Sequence, residues 1–132
     1  MRRAAFLCTA FSFALFSGVL SAEPGDALLQ CQKASGDSPV RQVYCLHTEL
    51  DRRNEELLMM IEGLRTKHVI DEKTKYALYD EHERWLERIK AACPADPKHG
   101  SRAVYESAVC LLDKTNAQIA LVEEGRWQAL FK

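Results

Sequence analysis

The sequence lacks the short motifs that mark the common catalytic and nucleotide-binding sites. It contains no GxSxG nucleophile elbow, no HExxH zinc-binding helix and no glycine-rich phosphate loop. Acidic residues are abundant, but solvated carboxylates have no burial to shift their pKa values toward a catalytic role. We therefore expect a protein that is not an enzyme and that needs no cofactor.

A strong net charge of either sign is also missing. The chain of 132 residues carries 18 basic and 19 acidic residues, which gives a net charge of −1. A nucleic-acid-binding domain would show a basic face and a high pI. The charge balance therefore argues against a nucleic-acid partner.

The only long apolar run, from residue 4 to residue 20, is too short for a membrane-spanning helix, which needs ~20 apolar residues. It follows Arg2 and Arg3 and ends in small residues, a pattern typical of a secretory signal peptide. We predict a signal peptide over residues 1–22 and a single helical domain over residues 23–132. The mature protein would be periplasmic or secreted, in a bacterial envelope, and would have no membrane anchor.

No two cysteines have the CxxC spacing of a redox or zinc motif, and no histidine pair recurs at i, i+4, so no metal site is indicated. Cys8 would leave with the signal peptide. The cysteines that remain are Cys31, Cys45, Cys93 and Cys110. An even number in a small exported domain predicts two structural disulfides, which would support a limited core.

Apolar residues recur at three- and four-residue steps along most of the mature chain, and no alternating strand pattern is present. The segment ALLQCQKA predicts a short first helix. Capping residues and apolar stripes predict longer helices over Pro39–Arg65 and Glu72–Ala92, and a fourth helix that Ser101 caps and that runs to about Glu124. The predicted fold class is all-α, a small antiparallel helical bundle.

The positions of the cysteines on these helices favour one of the three possible pairings. Cys31 and Cys45 lie on the first and second helices, whereas Cys93 ends the third and Cys110 lies within the fourth. Because helices that follow one another usually pack together, we favour Cys31 with Cys45 and Cys93 with Cys110. The second bridge requires the fourth helix to begin well beyond the end of the third, since Cys110 lies ~13 Å along its helix.

Two residues on the apolar faces have both a structural and a binding interpretation. Asn54 lies between Leu50 and Leu57, where an amide more often fixes helix register through a hydrogen bond than contacts a ligand. Trp85 shares a face with Ile89, and an indole there more often packs in the core than anchors an interface. We assign both residues structural roles.

The segment YDEHERWLE concentrates acidic residues around His82. Asp80, Glu81 and Glu83 would form an acidic surface that steers a basic protein partner. The alternative is a solvated helix face with little internal pairing, because Glu81 and Arg88 are farther apart than the usual three or four residues.

Several residues recur together at a characteristic spacing. They are Cys31 and Cys45; Leu50, Asp51, Asn54 and Leu57 in ELDRRNEELL; Trp85 with Cys93 eight residues later; then Gly100, Ser101, Cys110, Thr115 and Leu121. In order and spacing this pattern resembles the LprI-type lysozyme-inhibitor N-terminal domain family, an exported four-cysteine module. The resemblance covers most of the mature chain.

The chain departs from the family pattern at polar positions. An arginine usually stands four residues after the tryptophan, followed by an acid, whereas this chain has Ile89 and Lys90, and Arg88 comes one step early. Gln118 replaces an arginine that usually follows the threonine by three residues. The cysteines and the apolar positions of the pattern are intact.

The resemblance implies a periplasmic or secreted helical domain, and some members of the family inhibit lysozyme. In such an inhibitor, the connection PADPKHGS would be stiffened by two prolines and closed by a Cys93–Cys110 bridge. Lys98 and His99 at its tip would then reach the cleft carboxylates of a protein partner, a lysozyme-type glycan hydrolase. The alternative for this segment is a polar turn with no binding role. The alternative function is a periplasmic scaffold or stress-response envelope protein that inhibits nothing.

Overall fold

The computed structural model describes residues 24–132, so the predicted signal peptide and Cys8 lie outside the described residues. Four α-helices and two 3₁₀ turns make up this part of the chain. The helices are α1 (Pro24–Ser35), α2 (Pro39–Thr66), α3 (Glu72–Ala92) and α4 (Gly100–Glu123), and the 3₁₀ turns are Pro97–His99 and Trp127–Ala129. Residues 24–132 contain no strand, and the predicted all-α bundle is confirmed.

No helix in the described part of the chain combines the length and the apolarity that a membrane span requires.

Local chemistry accounts for the bounds of α3. At its N-terminus, Oδ1 of Asp71 accepts a hydrogen bond of 2.7 Å from the amide nitrogen of Thr74, which caps the first turn. At its C-terminus, α3 ends at Ala92 because the residue before Pro94 is driven out of the helical region. Both bounds agree with the sequence prediction.

The starts of the other two long helices differ in detail from the prediction. Ser38 holds the N-cap position of α2, but its side chain makes no capping hydrogen bond, and Pro39 occupies the first turn. The predicted cap at Ser101 is wrong, because α4 begins one residue earlier at Gly100 and its N-cap is His99. Gly100 has a φ of +62°, a conformation that glycine adopts at little cost.

Both predicted disulfides are confirmed. Cys31–Cys45 joins α1 to α2, and Cys93–Cys110 joins the end of α3 to α4, each with 5.8 Å between the Cα atoms. The hydroxyl of Ser107 donates a hydrogen bond to the carbonyl oxygen of Cys93, which further holds the end of α3 against α4. Two disulfides are typical of a protein from an oxidising compartment.

Helix α2 packs mainly against α4, whereas α3 makes far fewer contacts with either of them. The main core forms where the apolar faces of these three helices meet the chain segments that follow α2 and α4. Its members are Leu57, Ile61, Ile70, Trp85, Ile89, Ile119, Val122, Leu130 and Phe131. Trp85 is 5% exposed, so its predicted place in the core is confirmed.

The C-terminal residues close the main core, a feature that the sequence pattern did not predict. Leu130 and Phe131 are 4% and 3% exposed. The Phe131 ring packs against both His82 and Trp85, with ring centroids 5.3 Å and 5.6 Å away. The tail is therefore part of the bundle.

Two side chains hold the backbone of Phe131 in place. Oε1 of Gln118 accepts a hydrogen bond of 2.9 Å from its amide nitrogen, and Nη2 of Arg88 donates one of 2.8 Å to its carbonyl oxygen. Gln118 and Arg88 are two of the positions at which the chain departs from the LprI-type pattern. Both residues therefore have a structural role in this fold.

Candidate protein-binding surfaces

The turn between α3 and α4 is preordered by Asp96. Its Oδ1 accepts a hydrogen bond of 2.9 Å from the amide nitrogen of Lys98, and its Oδ2 lies 2.9 Å from Nδ1 of His99. The amide nitrogen of His99 also donates to the carbonyl oxygen of Asp96 over 3.0 Å. Because the Cys93–Cys110 bridge closes the base of this turn, the backbone that carries Lys98 and His99 is held at both ends.

The turn presents two basic side chains to solvent. Lys98 is exposed, and no acidic side chain within residues 24–132 pairs with it. The side chain of His99 is 72% exposed. Since Nδ1 of His99 faces Asp96, its Nε2 is the ring nitrogen left for a partner.

The three predicted acids do not form one continuous surface. Glu81 forms salt bridges with Arg88 at 2.7 Å and with Arg84 at 2.8 Å. The hydrogen bond from Arg88, and to a smaller extent that from Arg84, lowers the pKa of Glu81. The prediction that Glu81 and Arg88 are too far apart is wrong, because seven residues span about two turns and bring both to one face. Asp80 is exposed and unpaired within the described chain, whereas Glu83 lies on the side of α3 that faces α2.

The three predicted acids, Asp80, Glu81 and Glu83, are also distant from the turn. Glu83 precedes Cys93 by ten residues, which corresponds to roughly 15 Å along the helix axis. The basic turn and the acidic part of α3 are therefore separate surfaces.

A groove of about 740 Å³ lies between α2 and α3. We call it the α2–α3 groove. Leu58, Tyr79 and Leu86 supply its apolar surface, and Asn54 and His82 supply neutral polar groups. Its carboxylates come from Asp51, Glu55 and Glu83.

Two buried polar atoms belong to residues that line this groove. Oδ1 of Asn54 and Nδ1 of His82 are buried, and neither has a hydrogen-bond partner within residues 24–132. Buried polar atoms in folded proteins nearly always have such a partner. The register-fixing hydrogen bond predicted for Asn54 is therefore not made through Oδ1.

His82 is held in a fixed orientation by aromatic neighbours. It is 3% exposed, and its ring stacks on Trp85 with a centroid distance of 5.7 Å and an interplanar angle of 24°. Burial lowers the pKa of His82, because a low-dielectric site disfavours the charged imidazolium. His82 is consequently a neutral imidazole at pH 7, with one ring nitrogen that accepts a hydrogen bond.

The sequence pattern pointed to Asn54, His82 and Glu83, but it did not predict the groove that they line. The stripe of α2 that contains Asn54 and the face of α3 that contains His82 were both predicted. The gap between them arises because α2 packs more closely on α4 than on α3. The sequence signal that could have indicated the groove was a polar residue, Asn54 or His82, on each of the two facing helix stripes.

Within the described residues, no three histidine, cysteine, aspartate or glutamate side chains converge as potential metal ligands. No protein-family model, curated protein or solved structure matches this chain.

Proposed function

We propose that this domain is an exported inhibitor of a lysozyme-type glycan hydrolase and that it binds through the turn between α3 and α4. The resemblance of its sequence to the LprI-type family supports this class of target, and its two disulfides fit an oxidising compartment. The observation that carries the proposal is the preordered turn that presents Lys98 and His99.

The chemistry of the target explains why such a turn would inhibit it. A lysozyme-type enzyme works with two carboxyl groups that flank an open substrate cleft. The ammonium group of Lys98 would form a charge-assisted hydrogen bond with a cleft carboxylate. Nε2 of His99 would form a hydrogen bond with a neighbouring polar group of the cleft. Because Asp96 and the disulfide already order the turn, little conformational entropy would be lost on binding.

The test is a cell-wall lysis assay with the purified, oxidised protein against several lysozymes. The wild-type protein should slow lysis in a dose-dependent manner. Lys98→Ala should raise the inhibitory concentration about tenfold or more, since a hydrogen bond to a charged group contributes roughly 1.5–3 kcal/mol. Lys114→Ala, which removes an exposed cation on α4, is the matched control and should leave inhibition unchanged.

Two outcomes of this assay would contradict the proposal at different levels. Undiminished lysis at a large molar excess of the protein would end the inhibitor function. Inhibition that survives both Lys98→Ala and His99→Ala would keep the function but exclude the turn as its binding site.

The second candidate function is a periplasmic scaffold or stress-response envelope protein that binds a partner without inhibiting an enzyme. The observation that favours it is the α2–α3 groove, which lies away from the turn. In a pulldown, recovery of one defined envelope protein by a domain that fails to retain lysozyme would support this function. Recovery of a glycan hydrolase alone would count against it.

A further inference from the structure

The carboxylates of the α2–α3 groove differ in their pairing from most other acids on the same helices. Asp51, Glu55 and Glu83 form no ion pair or hydrogen bond through their side chains within residues 24–132. The paired acids of α2 and α3 are Glu49, Glu56, Glu62, Glu72, Glu81 and Glu87, each with an arginine or lysine. On these two helices only Asp80 is likewise unpaired in the described chain, and it lies outside the groove.

No lysine or arginine lines the groove to balance these carboxylates. Lys90, in the hollow that adjoins one end of the groove, is already paired with Glu87 at 2.7 Å. Arg84, near Glu83 on the outer side of α3, is paired with Glu81 at 2.8 Å. The groove therefore presents uncompensated negative charge.

Two acceptors from the groove wall add to the three carboxylates. His82 is more than nine-tenths buried, and its Nδ1 has no partner in the described chain. The neutral imidazole has one ring nitrogen that accepts a hydrogen bond. Oδ1 of Asn54 is a second acceptor, and the soft terminal torsion of its amide lets it turn toward a ligand.

We propose that the α2–α3 groove binds an arginine side chain that a protein partner presents. A guanidinium group carries five N–H donors and no acceptor, which complements a site whose polar groups can all accept. Its planar fork binds carboxylates in a bidentate manner, and it is more weakly hydrated than the ammonium of lysine, so it enters a partly buried site at lower cost. Tyr79 and Leu86 offer surface to its flat face and its aliphatic stem.

The groove is large enough to hold an arginine side chain together with part of its flanking residues. Its volume of about 740 Å³ lies within the range of roughly 300–1,000 Å³ that is usual for ligand pockets. The apolar surface of Leu58 and Leu86 would contact residues that flank the arginine. This site is separate from the turn that carries Lys98, and the inference does not depend on the inhibitor function.

The inference is tested with acetyl-Leu-Arg-Leu-amide, titrated into the oxidised protein and followed by NMR. The imidazole nitrogens of His82 and the side-chain amide of Asn54 should shift in a saturable manner. The matched peptide with citrulline in place of arginine has nearly the same shape but no charge, and it should bind at least tenfold more weakly. Equal binding of the two peptides, or shifts confined to the turn around Lys98, would overturn the proposal.

Substitutions that keep side-chain size test the carboxylates. The triple variant Asp51→Asn, Glu55→Gln, Glu83→Gln should weaken binding of the arginine peptide at least tenfold. Glu83→Gln alone, at an exposed position, should weaken it severalfold and keeps the test decisive if the triple variant does not fold.

A control variant with the same change in net charge separates specific from nonspecific attraction. Asp37→Asn, Asp113→Asn and Glu123→Gln neutralise three exposed acids that lie outside the groove. This variant should bind the arginine peptide within twofold of the wild type. An equal loss of binding in both triple variants would contradict a site in the groove.

Discussion

Phe131 offers the most direct test of how the tail contributes to the stability of the bundle. Its side chain is almost fully buried and packs against both His82 and Trp85. In Phe131→Ala the ring is lost, but the hydrogen bonds with Gln118 and Arg88 remain available because both involve the backbone of residue 131. The variant therefore isolates the contribution of the ring.

The size of the effect follows from burial and from the cavity that the ring would leave. Phenylalanine-to-alanine changes in a packed core cost about 3–5 kcal/mol, of which roughly 1.5–3 kcal/mol is the loss of hydrophobic transfer free energy. The φ of Phe131 is +63°, and alanine meets the same strain there, so the backbone adds little to the difference. We expect a loss of about 4 kcal/mol in the free energy of unfolding, a large part of the 5–15 kcal/mol that is typical of a domain.

The assay is urea unfolding of the oxidised protein, followed by tryptophan fluorescence. Tyr44→Ala is the matched control, because it removes an aromatic ring that is 70% exposed, and it should change the free energy of unfolding by less than about 0.5 kcal/mol. Gln118→Ala should cost about 1 kcal/mol through the hydrogen bond to the Phe131 amide. If Phe131→Ala were no more destabilising than Tyr44→Ala, the tail would not be part of the core and the reasoning would be refuted.

Three further expectations concern a disulfide, a histidine and a helix cap. Replacing both Cys93 and Cys110 by serine opens a loop with a sequence separation of 17 and should lower the free energy of unfolding by about 3 kcal/mol in urea titrations, whereas unchanged stability would contradict the chain-entropy argument. Because the pKa of His82 is lower in the folded than in the unfolded protein, the unfolded state takes up the proton at a higher pH. The free energy of unfolding should therefore be constant above pH ~6.5 with respect to this group and should fall below that pH, by at most about 1.4 kcal/mol per pH unit. In His82→Phe, the free energy of unfolding should lack this decrease at low pH. Identical pH profiles for the variant and the wild type would contradict the role of His82. Asp71→Ala should lower the thermal midpoint followed by circular dichroism, while Asp80→Ala on the same helix should not, and equal effects would remove the argument for a cap.

The helices and the disulfides could be predicted because their signals are local. Pro39, Asp71 and Pro94 mark helix ends through steric and hydrogen-bonding rules that need no tertiary structure. The pairing of Cys93 with Cys110 followed from the order of the helices and from the tendency of successive helices to pack together. These features required no knowledge of distant contacts.

The features that escaped prediction depend on contacts between distant residues. In GRWQALFK, Trp127, Leu130 and Phe131 recur at three and four residues, but the segment is too short to predict what it packs against. Phe131 is buried against His82 and Trp85, and Gln118 and Arg88 bind its backbone. The pairing of Glu81 with Arg88 depends on the reach of a long side chain across two turns. The α2–α3 groove depends on how far α3 stands from α2, a distance that no local pattern encodes.

The dominance of the α2–α4 interface has a consequence for the order in which the chain can fold. Helix α4 begins at Gly100, well after α2 ends at Thr66, so the apolar stripe of α2 has no main partner until α4 has been synthesised. A chain that emerges from the N-terminus would expose this stripe to chaperones in the meantime. Cys31 and Cys45 precede Cys93 along the chain, so they are synthesised first. The Cys31–Cys45 bridge can therefore form before Cys93 is present to compete for either thiol.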